Sequence, residues 1–261
     1  MDLGLSGRVC VVTGASRGIG RATAERLAAE GAQVLLVGRD RAALDEAAAA
    51  CGAAGHVLVQ DVTDPEAGQR IAEAAAALGT PWALVNNAGT TFARGMDELT
   101  DDDWRLLYDL HVVASMRITQ GLAGAMAAAG GGRIVNVCSS AGKRPSATNP
   151  AYSVTKAAQL SLSRTFADLH AADGVLVNAV TPGPVASELW MQEGGMADQT
   201  AAARGVSREE ALAIQAGKVP LGRFAEPGEV ADVIVFLCSE RASTVTGAAW
   251  SADGGAVAII I

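Results

Sequence analysis

Aromatic side chains are scarce in this 261-residue chain, at 4% of positions against 50% hydrophobic residues overall. A core with few rings must close with small and branched aliphatic side chains. With 30 glycines and abundant alanine, that composition suits helices packed closely on a sheet better than an all-β sandwich. Cysteine is sparse as well. Cys10, Cys51, Cys138 and Cys238 stand far apart within apolar patterns and form no C-x-x-C pair, which argues against disulfides and zinc and for reduced, buried thiols. His56, His111 and His170 show no metal-ligand spacing, so no metal is expected. Basic residues are in the minority: the formal net charge of −8 argues against a nucleic-acid or anionic-membrane surface, since either requires a basic patch. No uncharged apolar run approaches the ~20 residues of a membrane span. Met1 to Gly7 lacks the basic and long apolar regions of a secretory signal, so a cytoplasmic protein is expected. Without a linker-like stretch to divide it, the chain reads as one α/β domain over 1–261.

What is present follows a repeated order of strand, turn and helix. Arg8 to Thr13 is a short apolar, β-branched run that reads as a buried strand, and it feeds into Gly14-Ala15-Ser16-Arg17-Gly18-Ile19-Gly20. A helix with Ile19, Ala22, Thr23 and Leu27 on one side follows. Strand, glycine turn and helix in that order make a phosphate cradle, because glycines let backbone N–H groups approach an anion that the helix dipole favours. The next strand, Gln33 to Val37, ends at Gly38-Arg39-Asp40, where an NAD site commonly places an acidic group on the ribose 2′-hydroxyl. Here Gly38 is small, and Arg39 with Arg17 in the turn suits a 2′-phosphate, so NADP(H) is favoured over NAD(H). Asp40 is read as the N-cap of the following helix.

His56 to Gln60 is a third strand, followed by Asp61-Val62 in reach of an adenine ring, and Asp64-Pro65-Glu66 opens a helix. Trp82 to Val85 is a fourth strand closing with Asn86-Asn87-Ala88-Gly89, where Asn87 can brace a loop and Gly89 allows close backbone approach. Thr100 with Asp103 resembles a capping box at the head of a long helix whose inward stripe is Trp104, Leu107, Tyr108, His111, Ser115 and Ile118. Arg133 to Cys138, Val175 to Val180 and Val245 to Ser251 complete the strands, with a helix over Pro227 to Leu237. The irregular stretch at about 187–218 reads as a substrate lid or as a surface excursion, and the apolar tail Val257 to Ile261 suggests subunit contacts.

Ser139 to Lys156 carries the chemistry. Asn149 is a good N-cap and Pro150 suits the first helical position, so Tyr152 and Lys156 share one helical face at (i, i+4). Phenol and ammonium both titrate near ~10 when free. Two unit charges ~4 Å apart at an effective dielectric of ~20 interact by ~4 kcal/mol, enough to depress the phenol by ~3 units.

In this order the motifs resemble the short-chain dehydrogenase/reductase family over almost the whole chain. They are Thr13-Gly-x-x-x-Gly-x-Gly20, Asn86-Asn-Ala-Gly89, Ser139, Tyr152-x-x-x-Lys156, Asn178 with Pro182-Gly183, and Asp253-Gly-Gly255. The resemblance implies a Rossmann-like doubly wound α/β fold with a seven-stranded parallel sheet flanked by helices. It implies Tyr152 as general acid/base, Lys156 on the nicotinamide ribose lowering the Tyr152 pKa, and Ser139 on the substrate oxygen. Gly14, Ser16, Arg17, Gly18, Ile19, Gly20, Arg39, Asp61 and Val62 would line the adenosine and phosphate end. Asn87 and Gly89 would face the ribose, and Pro182, Val185 and Ser187 the nicotinamide end. Many relatives carry asparagine at the position of His111, where it holds a water in the proton relay; His111 either replaces it or is a packed polar residue. The activity implied is NADP-dependent hydride transfer between nicotinamide and a carbonyl or secondary alcohol, the substrate being a ketone or a 3-oxoacyl thioester. Arg94, Lys143 and Arg144 are the cations an acidic carrier would meet, although solvated surface is the plainer reading of each. A homotetramer or homodimer is implied too. A non-turnover NADP(H)-binding regulator is the alternative, and a sugar-nucleotide epimerase is disfavoured by the glycine spacing.

Overall fold

The computed structural model describes residues 1–258, so the end of the apolar tail and the subunit contact expected of it lie outside the described residues. Its centre is a parallel seven-stranded sheet in the order β3-β2-β1-β4-β5-β6-β7. The strands are β1 (Val9–Thr13), β2 (Gln33–Gly38), β3 (Gly55–Val59), β4 (Pro81–Asn86), β5 (Gly132–Val137), β6 (Val175–Pro182) and β7 (Ala249–Ala252). The first six lie within two residues of the apolar runs that mark them. β7 starts later than the run from Val245 suggests: Gly247 sits at φ 69°, outside extended geometry, and Asn178 holds this turn through Val245 O and the Ala248 N–H.

Successive side chains of a strand point to opposite faces, and this sheet is covered on both. Cys10, Val12, Val34 and Leu36 face α1 (Gly18–Ala29), α2 (Arg41–Cys51) and α11 (Pro227–Cys238), meeting Leu27, Leu44 and Ile234. Val9, Val11, Leu35 and Val37 face the other way, toward Ile71 of α3 (Ala67–Leu78), Ile118, Leu122 and Met126 of α5 (Ala114–Ala128) and Phe166 of α7 (Pro150–His170). These contacts are nearly all aliphatic, as the shortage of rings requires.

The chain's order reverses between β1 and β4, which puts a crevice at the carboxyl ends of the central strands. On that side stand α6 (Ser140–Lys143) and, after β6, the short helices α8 (Glu188–Met191), α9 (Met196–Arg204) and α10 (Arg208–Ala216). Among the described residues, no helix is long and apolar enough to cross a membrane. The four cysteines are buried and free.

One element departs from simple periodicity. Thr100 and Asp103 form the expected capping box for α4 (Asp101–Tyr108), but the helix then passes through a π turn at Asp109–Val113 before α5. A π turn inserts a residue relative to α geometry, and one residue is ~100° of helix rotation. The stripe therefore changes phase: His111, Ser115 and Ile118 are buried, while Tyr108 is 47% exposed and does not point inward.

Candidate active site

The glycine turn between β1 and α1 is closely packed. An added Cβ would lie 2.9 Å from Ala88 Cα at Gly14 and 2.2 Å from the Gly14 carbonyl oxygen at Gly20. Gly14 and Gly18 adopt φ of 63° and 55°, a conformation that favours glycine. No side chain caps the N-terminus of α1 and no acidic residue stands in its first turn, so its first N–H groups remain free for an anion, and a dinucleotide pyrophosphate fits there. Asn87 holds the turn from β4: its Nδ2 donates to Thr13 O (2.9 Å) and Gly14 O (3.1 Å). Its backbone N–H donates to Thr13 Oγ1. Arg17 reaches Gln192 beyond α8, and Ser187 approaches Gly18, so the segment after β6 closes over the turn. Ser16 lies in this turn, and Ile19 packs against the core behind it.

At the neighbouring strand end, Asp40 caps α2 by accepting from the Ala43 N–H. Arg39 is 78% exposed and 3.9 Å from Asp61, a loose surface pair that leaves the guanidinium free to turn. Asp61 Oδ1 accepts from the Thr63 backbone and hydroxyl, and Val62 is buried in the core. Pro182 closes β6, and Val185 is buried and bridged to Ala225.

Ser139 leaves β5 as the N-cap of α6, accepting from the Ala141 N–H at 3.1 Å. α7 begins at Pro150, but the Asn149 side chain makes no capping bond, and the Ser153 hydroxyl donates to the Asn149 carbonyl instead. From this helix Tyr152 and Lys156 project on one side, the ammonium 5.7 Å from the phenol ring centroid. The depressed phenol expected from that pairing is not found. Burial raises the Tyr152 pKa to about 12, against a downward pull from the Ser139 hydroxyl. The reason is where the ammonium points: Lys156 is buried and donates to Val137 O (2.9 Å) and Gln159 Oε1 (2.8 Å). Burial in turn lowers the Lys156 pKa to about 8.

His111 is fully buried beside this pair, edge-on to the Tyr152 ring at 5.4 Å. The Thr155 hydroxyl donates to Tyr152 O (3.0 Å), so at the 3.1 Å contact between Thr155 Oγ1 and His111 Nδ1 the imidazole is the donor. Nε2 must then carry a lone pair, and it accepts from the Thr90 N–H at 3.3 Å. Burial and the Lys156 charge hold the imidazole well below its ordinary value, and it is neutral. Both nitrogens are engaged by protein atoms, so the ring is a clamp between the loop after β4 and α7.

The sign of the resulting pH dependence is fixed. The unfolded imidazole takes up a proton near 6.5 while the folded one resists, so stability is full above that pH and declines below it, by about 1.4 kcal/mol for each pH unit. His111→Asn should flatten that part of the curve. Denaturant unfolding of both proteins at pH 7.5 and 5.0 tests this, and an equal acid loss in the two would refute the neutral clamp.

Gln159, Ser115 and Thr155 complete the surroundings of Tyr152 and Lys156. Only Ser115 stands out from periodicity. The signal for Gln159 is its place one turn beyond Lys156 on a face otherwise turned to the core. Among the cations considered for a carrier, Arg94 pairs with both Asp103 oxygens (2.7 and 2.8 Å), and Lys143 donates to Ala249 O and Ser251 Oγ of β7.

Comparison with known proteins finds relatives along the whole chain. Residues 8–197 match the family described as short chain dehydrogenase. The chain is 38% identical to galactitol 2-dehydrogenase (L-tagatose-forming) of Cereibacter sphaeroides, over 96% of this chain and 95% of that one. It is 35% identical to a 3-oxoacyl-[acyl-carrier-protein] reductase of Aquifex aeolicus, over 98% and 99%. The crystal structure of L-sorbose reductase from Gluconobacter frateurii, complexed with NADPH and L-sorbose, superposes with a TM-score of 0.91 at 37% identity, covering 100% of both chains.

Proposed function

The chain belongs to the short-chain dehydrogenase family, an oxidoreductase of Rossmann-like fold, and on that footing we propose that it is an NADP-dependent reductase of small free ketones. The observation that carries this reading is the convergence of Ser139, Tyr152 and Lys156 at the carboxyl end of β5, beside an uncapped α1 N-terminus. When bound, the dinucleotide supplies the hydride for the carbonyl carbon. The α1 turn would hold the pyrophosphate, Arg39 and Arg17 the 2′-phosphate, and Lys156 the nicotinamide ribose. The Ser139 hydroxyl would donate to the carbonyl oxygen, and Tyr152, protonated at neutral pH, would give that oxygen its proton. NADP-bound structural neighbours support the cofactor.

A free ketone is favoured over a carrier-bound thioester by charge. The net charge is −8, and of the three cations considered Arg94 and Lys143 are engaged within the protein while Arg144 stands exposed, so an acidic carrier would meet repulsion with one of those cations to offset it. The whole chain then acts as one catalytic domain. Residues 187–218 serve as its lid, tied to the loop after β4 where Gln199 accepts from the Ala93 N–H. Exposed Leu106, Tyr108 and Val154 on α4 and α7 favour a homo-oligomer.

The test is NADPH consumption, followed by absorbance, over a panel of ketoses, cyclic ketones and acyl-carrier thioesters. Turnover on free ketones is expected, and none across the panel would sink the reading. In the same assay Arg39→Ala should raise the NADPH KM about ten-fold and the NADH KM little, since a charge-assisted contact contributes about 1.5–3 kcal/mol. Equal losses would refute the NADP assignment.

A further inference from the structure

A buried polar branch leads away from Lys156 along α7 and across to α5. The ammonium donates to Gln159 Oε1 (2.8 Å), Gln159 Nε2 donates to Ser115 Oγ (3.1 Å), and Ser115 Oγ donates to the His111 carbonyl in the π turn (2.8 Å). Gln159 is 1% exposed and Ser115 5%, so no bulk water competes for these bonds. The amide is oriented by its two ends, because only its oxygen can face the ammonium while its nitrogen faces the serine.

We propose that Gln159, oriented by Ser115 and the π turn, is the positioning residue that keeps Lys156 in place and charged in this interior. Burial drives a lysine toward neutrality, and among the groups facing this one two carbonyl dipoles, Val137 O and Gln159 Oε1, oppose it. From β5 come the Val137 carbonyl and the Cys138 thiol, which burial pushes up to about 12. From the π turn comes a neutral His111, and from α7 a protonated Tyr152. A carbonyl dipole aimed at the ammonium from Gln159 favours the charged form. The imidazole of His111, with both nitrogens engaged, takes no part in holding the ammonium. The proposal rests on the reading of Lys156 as a working group of the site.

The chain's lysines are Lys143, Lys156 and Lys218, so the Cε resonances of protein labelled with [13C]lysine can be titrated individually in the cofactor-free state. Gln159→Leu should move the Lys156 titration down by about one pH unit, and Gln159→Glu should move it up by at least as much. Should Gln159→Leu not fold, Ser115→Ala leaves the amide unpaired at its far end and should give a smaller downward shift. The alkaline limb of the NADPH-dependent kcat/KM profile should follow in the same directions. Shifts of opposite sign in the leucine and glutamate variants support the proposal. An unmoved Lys156 titration in folded variants, whatever their activity, overturns it. Because the resonance is read without cofactor or substrate, it decides this point even if no ketone is turned over.

Discussion

Tyr152→Phe should lower kcat for ketone reduction by about 10²–10⁴-fold while changing the NADPH dissociation constant little. The ring would remain, with its edge contact to His111, and the hydroxyl that carries the proton would be lost. The size of the effect follows from the state of the phenol. Burial holds its pKa at about 12, so at neutral pH it is a fully protonated acid, with its proton available when charge develops on the carbonyl oxygen. As far as the phenol is concerned, reduction should therefore be flat from pH 6 to 7, below the Lys156 titration at about 8. Oxidation of an alcohol needs the phenolate and should rise with pH throughout that range. Steady-state rates in both directions, with cofactor affinity measured by calorimetry, check the whole set. A phenylalanine variant retaining more than about a tenth of wild-type turnover would remove Tyr152 from the reaction as its proton donor.

The direction of that pKa marks a limit of sequence reading. Spacing placed Tyr152 and Lys156 on one face, and they do share it. Spacing does not say where the ammonium points, and two nearer acceptors, Val137 O and Gln159 Oε1, draw it away from the phenol. The strands were legible for the opposite reason. A parallel strand covered on both faces is apolar along most of its length, so Val9–Val12 and Val34–Val37 announce themselves without knowledge of their partners. Tyr108 was misplaced because periodicity assumes an unbroken helix, and the π turn that follows it leaves no mark in composition. Asn149 shows the same limit at smaller scale: the helix starts where the residue type suggests, yet its side chain does not make the capping bond. Local propensity located the elements; how their polar ends are satisfied depends on neighbours distant in sequence.

Gly20→Ala should be the most damaging single methyl in the cradle, because its neighbours are backbone and a tethered side chain. The added Cβ would stand 2.2 Å from Gly14 O and 2.4 Å from Asn87 Nδ2, and neither can swing aside. Gly14 is fixed at φ 63°, and Asn87 is held by its bonds to Thr13 and Gly14. The clash must open the turn away from α1, breaking the Asn87 bonds and displacing the N–H groups proposed to hold the phosphate. Overpacking of this kind costs about 1–3 kcal/mol, a fall of roughly 2–10 °C in Tm. Displaced phosphate contacts should weaken NADPH binding by about 100-fold or more. Gly124→Ala is the matched control. It lies in α5 with nothing within 4 Å of an added Cβ, so it should raise stability by about 0.5–1 kcal/mol and leave NADPH binding unchanged. Thermal melts and calorimetric titration of the two variants separate the cost of a methyl in a helix from the cost of a methyl in the cradle. NADPH affinity in Gly20→Ala within about three-fold of wild type would mean that the turn is not where the pyrophosphate binds.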